Sequence, residues 1–187
     1  GILCQETNFE YEILLGEDYS SDGTREICID YANRYPDKIR LFLHHRENNI
    51  KIGGQPTGRF NFLYNLYSAQ GKYIALCEGD DYWTDPLKLQ KQVEFLEGNL
   101  RYSFCFHKVN KVNHDGDVIA IDESPSNSLF KDQYFTSECI LAYGMLINTC
   151  SLLFRNKMRV VELVAGAPPL PFGDKTIEKV LALEGCA

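Results

Sequence analysis

No C-x-x-C pair occurs among the seven cysteines, and seven is odd, so the sequence carries neither a disulfide framework nor a zinc site. Cys77, Cys105 and Cys150 sit inside apolar runs, where cysteine serves as a small buried hydrophobe, and this usage points to a reducing compartment. Long apolar runs are lacking too. The longest, Cys139 to Phe154, is interrupted by Gly144, Asn148, Thr149 and Ser151 and is too short for a bilayer span. No signal peptide is visible, and a start at Gly1-Ile2-Leu3-Cys4 without Met reads as a missing beginning. Basic residues are the minority, 19 against 26 acidic, and no stripe gathers them, which argues against a nucleic-acid surface. Internal repeats, low-complexity tracts and linkers are also wanting, so residues 1–187 read as one domain, expected to be incomplete at both termini.

What the chain does have centres on residues 72–86. An apolar run of strand length, Tyr73 to Cys77, empties into Glu78, Asp80 and Asp81, followed by Tyr82 and Trp83. Asp85-Pro86 then opens a helix as N-cap and first-turn proline. Unit charges about 4 Å apart repel by roughly 1 kcal/mol in water and roughly 4 kcal/mol at an effective dielectric of about 20. Three carboxylates crowded at a strand end therefore call for a positive partner. A hard divalent cation, Mn²⁺ or Mg²⁺, suits all-oxygen ligands and commonly also holds substrate phosphates. The alternative is a solvated acidic turn that caps the next helix.

Upstream, Tyr11 to Gly16 reads as a short buried strand ending in Glu17-Asp18. Ser20-Ser21-Asp22-Gly23-Thr24 supplies the caps and glycine of a helix start, with Asp22 as a helix-start residue. Ile27, Tyr31 and Tyr35 recur every fourth residue on one face of that helix, and Pro36-Asp37 ends it. Ile39 to His45 is a second strand, whose adjacent His44 and His45 point to opposite faces and make a poor metal pair. Arg46 to Gly58 is a polar, glycine-rich loop. Its Gly54-Gln55-Pro56-Thr57-Gly58 is either a plain turn or a phosphate cradle, and matches neither a P-loop nor the dinucleotide fingerprint. A helix from Thr57 to Gln70, stopped by Gly71, leads into the acidic strand.

Beyond it the sequence predicts a helix from Asp85 to Glu97, then a hairpin around His114-Asp115-Gly116-Asp117. A Ser-, Pro- and Asn-rich loop over 122–135 follows, then a short helix from Thr136, a strand from Leu146 to Phe154, a helix from Asn156 to Ala165 and a last helix starting at Asp174. His107 reads as a core histidine. Strands and helices in alternation argue for an α/β fold with a parallel sheet. In such sheets ligands bind beyond the carboxyl ends of the strands, where Glu17-Asp18 and Glu78 to Asp81 are both expected.

Laid out in this order, the motifs resemble those of the family 2 glycosyltransferases, nucleotide-sugar-dependent enzymes of the GT-A fold. Glu17-Asp18-Tyr19-Ser20-Ser21-Asp22-Gly23-Thr24 is similar to the family's D-D-x-S-x-D-G-T, and Glu78-Gly79-Asp80-Asp81 to its D-x-D-D metal motif. Gly173-Asp174 at a helix start is similar to the late motif that provides the catalytic base. Glu78 stands where the family has an Asp, and the family's Pro-bearing first strand is expected upstream of Gly1.

The resemblance implies a Rossmann-like, mostly parallel sheet flanked by helices, with an additional β-hairpin. It implies metal-assisted transfer of a sugar, with inversion, from a nucleoside-diphosphate donor (a UDP-sugar) to a hydroxyl acceptor. Glu17 and Asp18 would attend the nucleotide, Asp18 accepting a hydrogen bond from the base. Glu78 would face the ribose or the outer shell of the metal, Asp80 would ligate Mn²⁺ or Mg²⁺, Asp81 would support that loop, and Asp174 would deprotonate the acceptor. Arg59 reads as a partner for diphosphate or for surface acids. Tyr82 and Trp83 read as acceptor-side residues or as packing beneath the next helix, and Asp174 alternatively as an N-cap.

Expected partners are the nucleotide-sugar donor and a carbohydrate or lipid-linked acceptor, as in polysaccharide biosynthesis. Neither nucleic acid nor a transmembrane segment is expected. The expected location is cytoplasmic, with peripheral attachment at the inner membrane face left open. Two other readings remain: a non-catalytic nucleotide-sugar or glycan-binding module, and a sugar nucleotidyltransferase sharing the fold logic.

Overall fold

The computed structural model describes residues 1–122, 140, 147–167 and 173–184, with backbone alone at 122 and 173–175. In chain order the strands are β1 Ile13–Glu17, β2 Ile39–Leu43, β3 Lys51–Ile52, β4 Gln55–Pro56, β5 Tyr73–Ala75, β6 Phe104–Cys105, β7 Val109–Val112, β8 Val118–Asp122 and β9 Leu153–Arg155. The helices are α1 Thr24–Arg34, α2 Arg59–Ser68, α3 Lys88–Gly98, α4 Met158–Gly166 and α5 Gly173–Glu184. This is the α/β class that the alternation predicts. The residues fall into two compact units, Phe9–Lys72 with Asn156–Gly173, and Gly1–Asn8 with Tyr73–Arg155 and Asp174–Ala187. They are called the first and second unit below.

The first unit is built on β1 and β2, which pair in parallel from Ile13↔Ile39 to Glu17↔Leu43. A parallel pair needs a crossover, and α1 provides it. The helix begins where Gly23 takes φ 93° and Thr24 N donates to Asp22 Oδ1 at 3.1 Å, the helix-start role expected of Asp22. The face bearing Ile27, Tyr31 and Tyr35 is not a core face. Ile27 and Tyr31 are exposed, and the Arg34 guanidinium lies 5.2 Å from the Tyr31 ring and 5.5 Å from that of Tyr35, so a cation covers the rings in place of a neighbouring element.

Helix α2 packs on the strands through polar as well as apolar contacts. Asn61 Nδ2 donates to Gly16 O at 3.0 Å, and a Cβ at Gly16 would collide with the Asn61 amide and lie 2.8 Å from Asn65 Nδ2. Only glycine allows this approach. The loop over 46–58 holds a tight hairpin: β3 and β4 pair antiparallel around Gly53 and Gly54, at φ 59° and 81°, a two-residue turn with both residues left-handed. Thr57 Oγ1 donates to Ile50 O at 2.6 Å, and α2 starts two residues later. Its end comes at Ala69, which turns extended, ahead of the predicted stop at Gly71.

In the second unit β9 lies between β5 and β6, antiparallel to both. Phe104, Phe154, Leu96, Leu152, Leu153, Ile177 and Leu181 are almost wholly buried here, each contributing about 1.5–3 kcal/mol over an exposed position. Arg155 fastens the sheet to its surroundings, donating to Tyr102 O, the Tyr73 hydroxyl and Leu96 O at 2.9, 2.9 and 2.5 Å. The predicted hairpin forms from β7 and β8, where Asn113 Oδ1 accepts from Asp115 N and Asp117 N and Gly116 takes φ 87°. Near the amino terminus Ile2–Cys4 form a 3₁₀ turn. The expected loop over 122–135 beyond Asp122 and the start of the Thr136 helix lie outside the described residues. No helix among the described residues is long and apolar enough to cross a membrane.

Candidate functional site

One acidic strand end lies in each unit, Glu17-Asp18 after β1 and Glu78 to Asp81 beyond β5. In the first unit β1 ends in Glu17, which is 2 % exposed. Its Oε2 lies 2.6 Å from Arg25 Nη1 and its Oε1 accepts from Ser20 N at 2.5 Å. Burial pushes the carboxyl up, but the hydrogen bonds from Ser20 and Arg25 outweigh it and hold Glu17 below the usual range. Both oxygens of Glu17 are engaged inside the unit, where the carboxylate staples the turn.

Asp18 is different. Its Oδ1 is buried with no hydrogen-bond partner among the described residues, the state of an acceptor prepared for a donor from elsewhere. Tyr19, next in the chain, has φ 64°, a strained conformation for a residue other than glycine. Its carbonyl accepts from Arg46 Nε and Nη2 at 3.4 and 3.3 Å. Its ring meets His45 edge-on at 4.9 Å and lies 5.4 Å from the Arg25 guanidinium. Arg46 and His45 thus hold the backbone turn that presents Asp18.

In the second unit the chain leaves β5 at Ala75 and passes through Leu76 and Cys77 into a turn closed by Asp81 N donating to Glu78 O at 3.1 Å. Oxygens of Glu78, Asp80 and Asp81 lie within 4.8 Å of one another, and all three residues are exposed. The Cys77 thiol reaches back to the carbonyls of Glu78 and Asp81, at 3.7 and 3.6 Å. An all-oxygen donor set of this spacing fits a hard divalent ion, Mg²⁺ or Mn²⁺. Asp85 begins the descent into α3, accepting from Leu87 N at 2.9 Å and from Lys91 Nζ at 2.7 Å.

The remaining expected residues divide. Tyr82 is exposed, as an acceptor-side residue requires. Of the two roles the sequence offers Trp83, its contacts are those of packing: it is 8 % exposed, its Nε1 donates to Cys150 O at 2.8 Å, and Lys88 Nζ sits 4.0 Å from its ring centre. Arg59 is 9 % exposed, and its Nη2 donates to Val164 O and Ala167 O at 3.0 and 3.2 Å, closing the carboxyl end of α4. Asp174 is the second residue of α5, and its side chain lies outside the described residues. His107 is only partly buried, with Nδ1 2.7 Å from Lys108 O; burial pushes its pKa down, against the opposing hydrogen bond.

Sequence reasoning passed over His44, dismissed as half of a histidine pair. The ring is 6 % exposed, its Nε2 has no partner among the described residues, and it meets Phe60 and Tyr64 of α2 edge-on at 5.2 and 5.0 Å. A polar residue at the carboxyl end of a predicted inner strand was the available signal.

Comparison with known proteins sets this geometry in a family. The family model described as glycosyl transferase family 2 matches residues 2–159. The uncharacterized protein Rv1520 of Mycobacterium tuberculosis is 37 % identical over 170 residues, 91 % of this chain and 45 % of that protein. EpsE of Bacillus subtilis, provisionally named a glycosyltransferase, is 36 % identical over 92 residues, 49 % of this chain and 30 % of its own. TuaG of the same organism, provisionally named a teichuronic acid biosynthesis glycosyltransferase, is 29 % identical over 138 residues, 68 % of this chain and 50 % of its own. The chain spans half or less of the length of these relatives.

Proposed function

The chain belongs to glycosyl transferase family 2, and from that premise we propose that it transfers a sugar, with inversion, from a nucleoside-diphosphate donor of the uridine type to a hydroxyl acceptor. The observation that carries the reading is the turn between β5 and α3, where carboxylate oxygens of Glu78, Asp80 and Asp81 gather within 4.8 Å of one another. Like charges at this spacing repel by roughly 1 kcal/mol a pair in water, and a bound cation would turn that repulsion into attraction.

In this reading Asp18 Oδ1 accepts the ring N–H of the base. Asp80 is the ligand of a divalent ion, with Glu78 and Asp81 completing the acidic turn. That ion, when bound, supplies positive charge against the diphosphate leaving group. Asp174 takes the proton of the acceptor hydroxyl as its oxygen attacks the anomeric carbon, a contribution typically of about 10²–10⁴-fold for a general base. The new C–O bond forms as the bond from C1 to the phosphate oxygen breaks, and the nucleoside diphosphate departs with the electron pair. Attack opposite the leaving group inverts the anomeric centre. Exposed Tyr82 is assigned to the acceptor side. A lipid-linked or polysaccharide acceptor is part of the same proposal, prompted by the name that TuaG carries.

Titration calorimetry with uridine diphosphate, with and without Mn²⁺, tests the site. Binding strengthened by Mn²⁺ is expected in the wild type, with that gain lost in Asp80→Asn. Equal binding with and without the ion would overturn the metal assignment. Incubation with a panel of donors and acceptors should release free nucleoside diphosphate. Pyrophosphate would point to a nucleotidyltransferase, and metal-dependent binding with no release to a binding module.

A further inference from the structure

Three buried polar atoms on one side of the β1–β2 pair lack partners among the described residues: Asp18 Oδ1, His44 Nε2 and Asn65 Oδ1. Native interiors leave few such atoms, because each forfeits its hydration without replacement. Three associated with one strand pair and the helix over it therefore need an account. The parallel register runs to Glu17↔Leu43, and His44 N donates to Glu17 O at 2.8 Å. Continued by one residue, it sets Asp18 beside His44. Side chains alternate along a strand, so Gly16 and Asp18 share a face with Phe42 and His44. That face is the one α2 covers, since Asn61 donates to Gly16 O and Tyr64 meets the rings of Phe42 and His44. Among these aromatic contacts the imidazole is held in place while its Nε2 stays unspent.

We infer that His44 is a specificity-determining residue for the donor base, its Nε2–H donating to a ring carbonyl oxygen while Asp18 Oδ1 accepts the neighbouring ring N–H. A donor beside an acceptor matches the keto edge of uracil, where N3–H is flanked by carbonyl oxygens. The inference rests on the donor reading of Asp18 given above and adds to it the second half of the base contact. The aromatic rings around His44 supply the dry surroundings in which one hydrogen bond discriminates strongly.

The test uses uridine diphosphate, its 2-thio and 4-thio analogues, and inorganic pyrophosphate, each titrated with Mn²⁺ present, on the wild type, Asp18→Asn and His44→Phe. Phenylalanine keeps the ring among Phe42, Phe60 and Tyr64 and removes the nitrogen. His44→Phe should weaken uridine diphosphate about tenfold, as the loss of one buried hydrogen bond predicts, and leave pyrophosphate unchanged. Its melting temperature should rise by about 2 °C or more, because an unpaired buried nitrogen is gone. One thio analogue should bind the wild type less well than uridine diphosphate and bind His44→Phe with no further loss, a coupling that a structural histidine would not show. If Asp18→Asn weakens uridine diphosphate while His44→Phe binds it like the wild type, the inference on His44 is overturned and the donor reading stands. If the wild type binds no uridine diphosphate, or Asp18→Asn binds it unchanged, the donor reading falls and this inference with it.

Discussion

Replacing Lys88 with methionine should remove a pH dependence that burial writes into the second unit. Lys88 is 5 % exposed; its Nζ donates to Gln92 Oε1 at 2.7 Å and lies over the Trp83 ring. Burial pushes its pKa down from 10.5 to about 8, against the weaker pull of the Cys105, Cys77 and Cys150 thiols. At about 1.4 kcal/mol per pKa unit, that drop is a penalty of about 3 kcal/mol on the charged amine in the folded state. The penalty is complete below about pH 8, where both states carry the proton. As pH rises further the folded protein releases it, while the unfolded chain holds it up to 10.5, so the unfolded state binds more protons and stability climbs.

The wild type should thus gain on Lys88→Met by about 1 kcal/mol between pH 7 and about pH 9, and by about 3 kcal/mol by pH 10.5. Lost packing on Trp83 and a stranded Gln92 oxygen add a constant offset and leave the slope alone. Urea unfolding of both proteins across this range, read as the difference between them, isolates the lysine from the other groups that titrate there. A difference that stays flat from pH 7 to 10.5 would refute the reasoning.

Two further outcomes follow from the first unit. Glu17→Gln should cost about 1.5–3 kcal/mol in urea unfolding at neutral pH, the range for hydrogen bonds to a charged group. Because the native carboxyl sits below its ordinary 4.5, the wild-type advantage is present above that value. It should shrink as pH falls through the lowered native value, and an advantage that persists in strong acid would contradict the assigned staple. Gly16→Ala should destabilise by about 1–3 kcal/mol, the usual cost of overpacking, since the new methyl meets Asn61 and Asn65. An unchanged urea midpoint would mean that α2 can withdraw freely.

The elements were legible where chemistry is local. The Asp115-Gly116 hairpin, the helix start at Asp22 and the acidic turn after β5 depend on neighbours within a few residues, and the structure has all three. What escaped the sequence depends on partners far along the chain. Arg59 is taken by carbonyls more than a hundred residues away, Trp83 by the carbonyl of Cys150, and neither acceptor announces itself in a sequence. Glu17 and Asp18 look interchangeable as adjacent acids, yet Arg25 and Ser20 engage one and leave an oxygen of the other without a partner. The fourfold spacing of Ile27, Tyr31 and Tyr35 promised an inner face, and the sequence could not tell that Arg34 would lie across its rings.

The side-by-side ladder of β1 and β2 also bears on how this part of the chain can change over generations. The connection from Tyr35 to Lys38 sets which residue of β2 meets which residue of β1. One amino acid added or removed there would turn the imidazole of His44 to the opposite side of the strand while every ladder bond could re-form. Length in that short corner is consequently bound to ligand preference, whereas the diglycine bend at Gly53-Gly54, where an added Cβ would meet nothing within 4 Å, is free to lengthen. Homologous chains should vary in size at the bend and hold it constant at the corner.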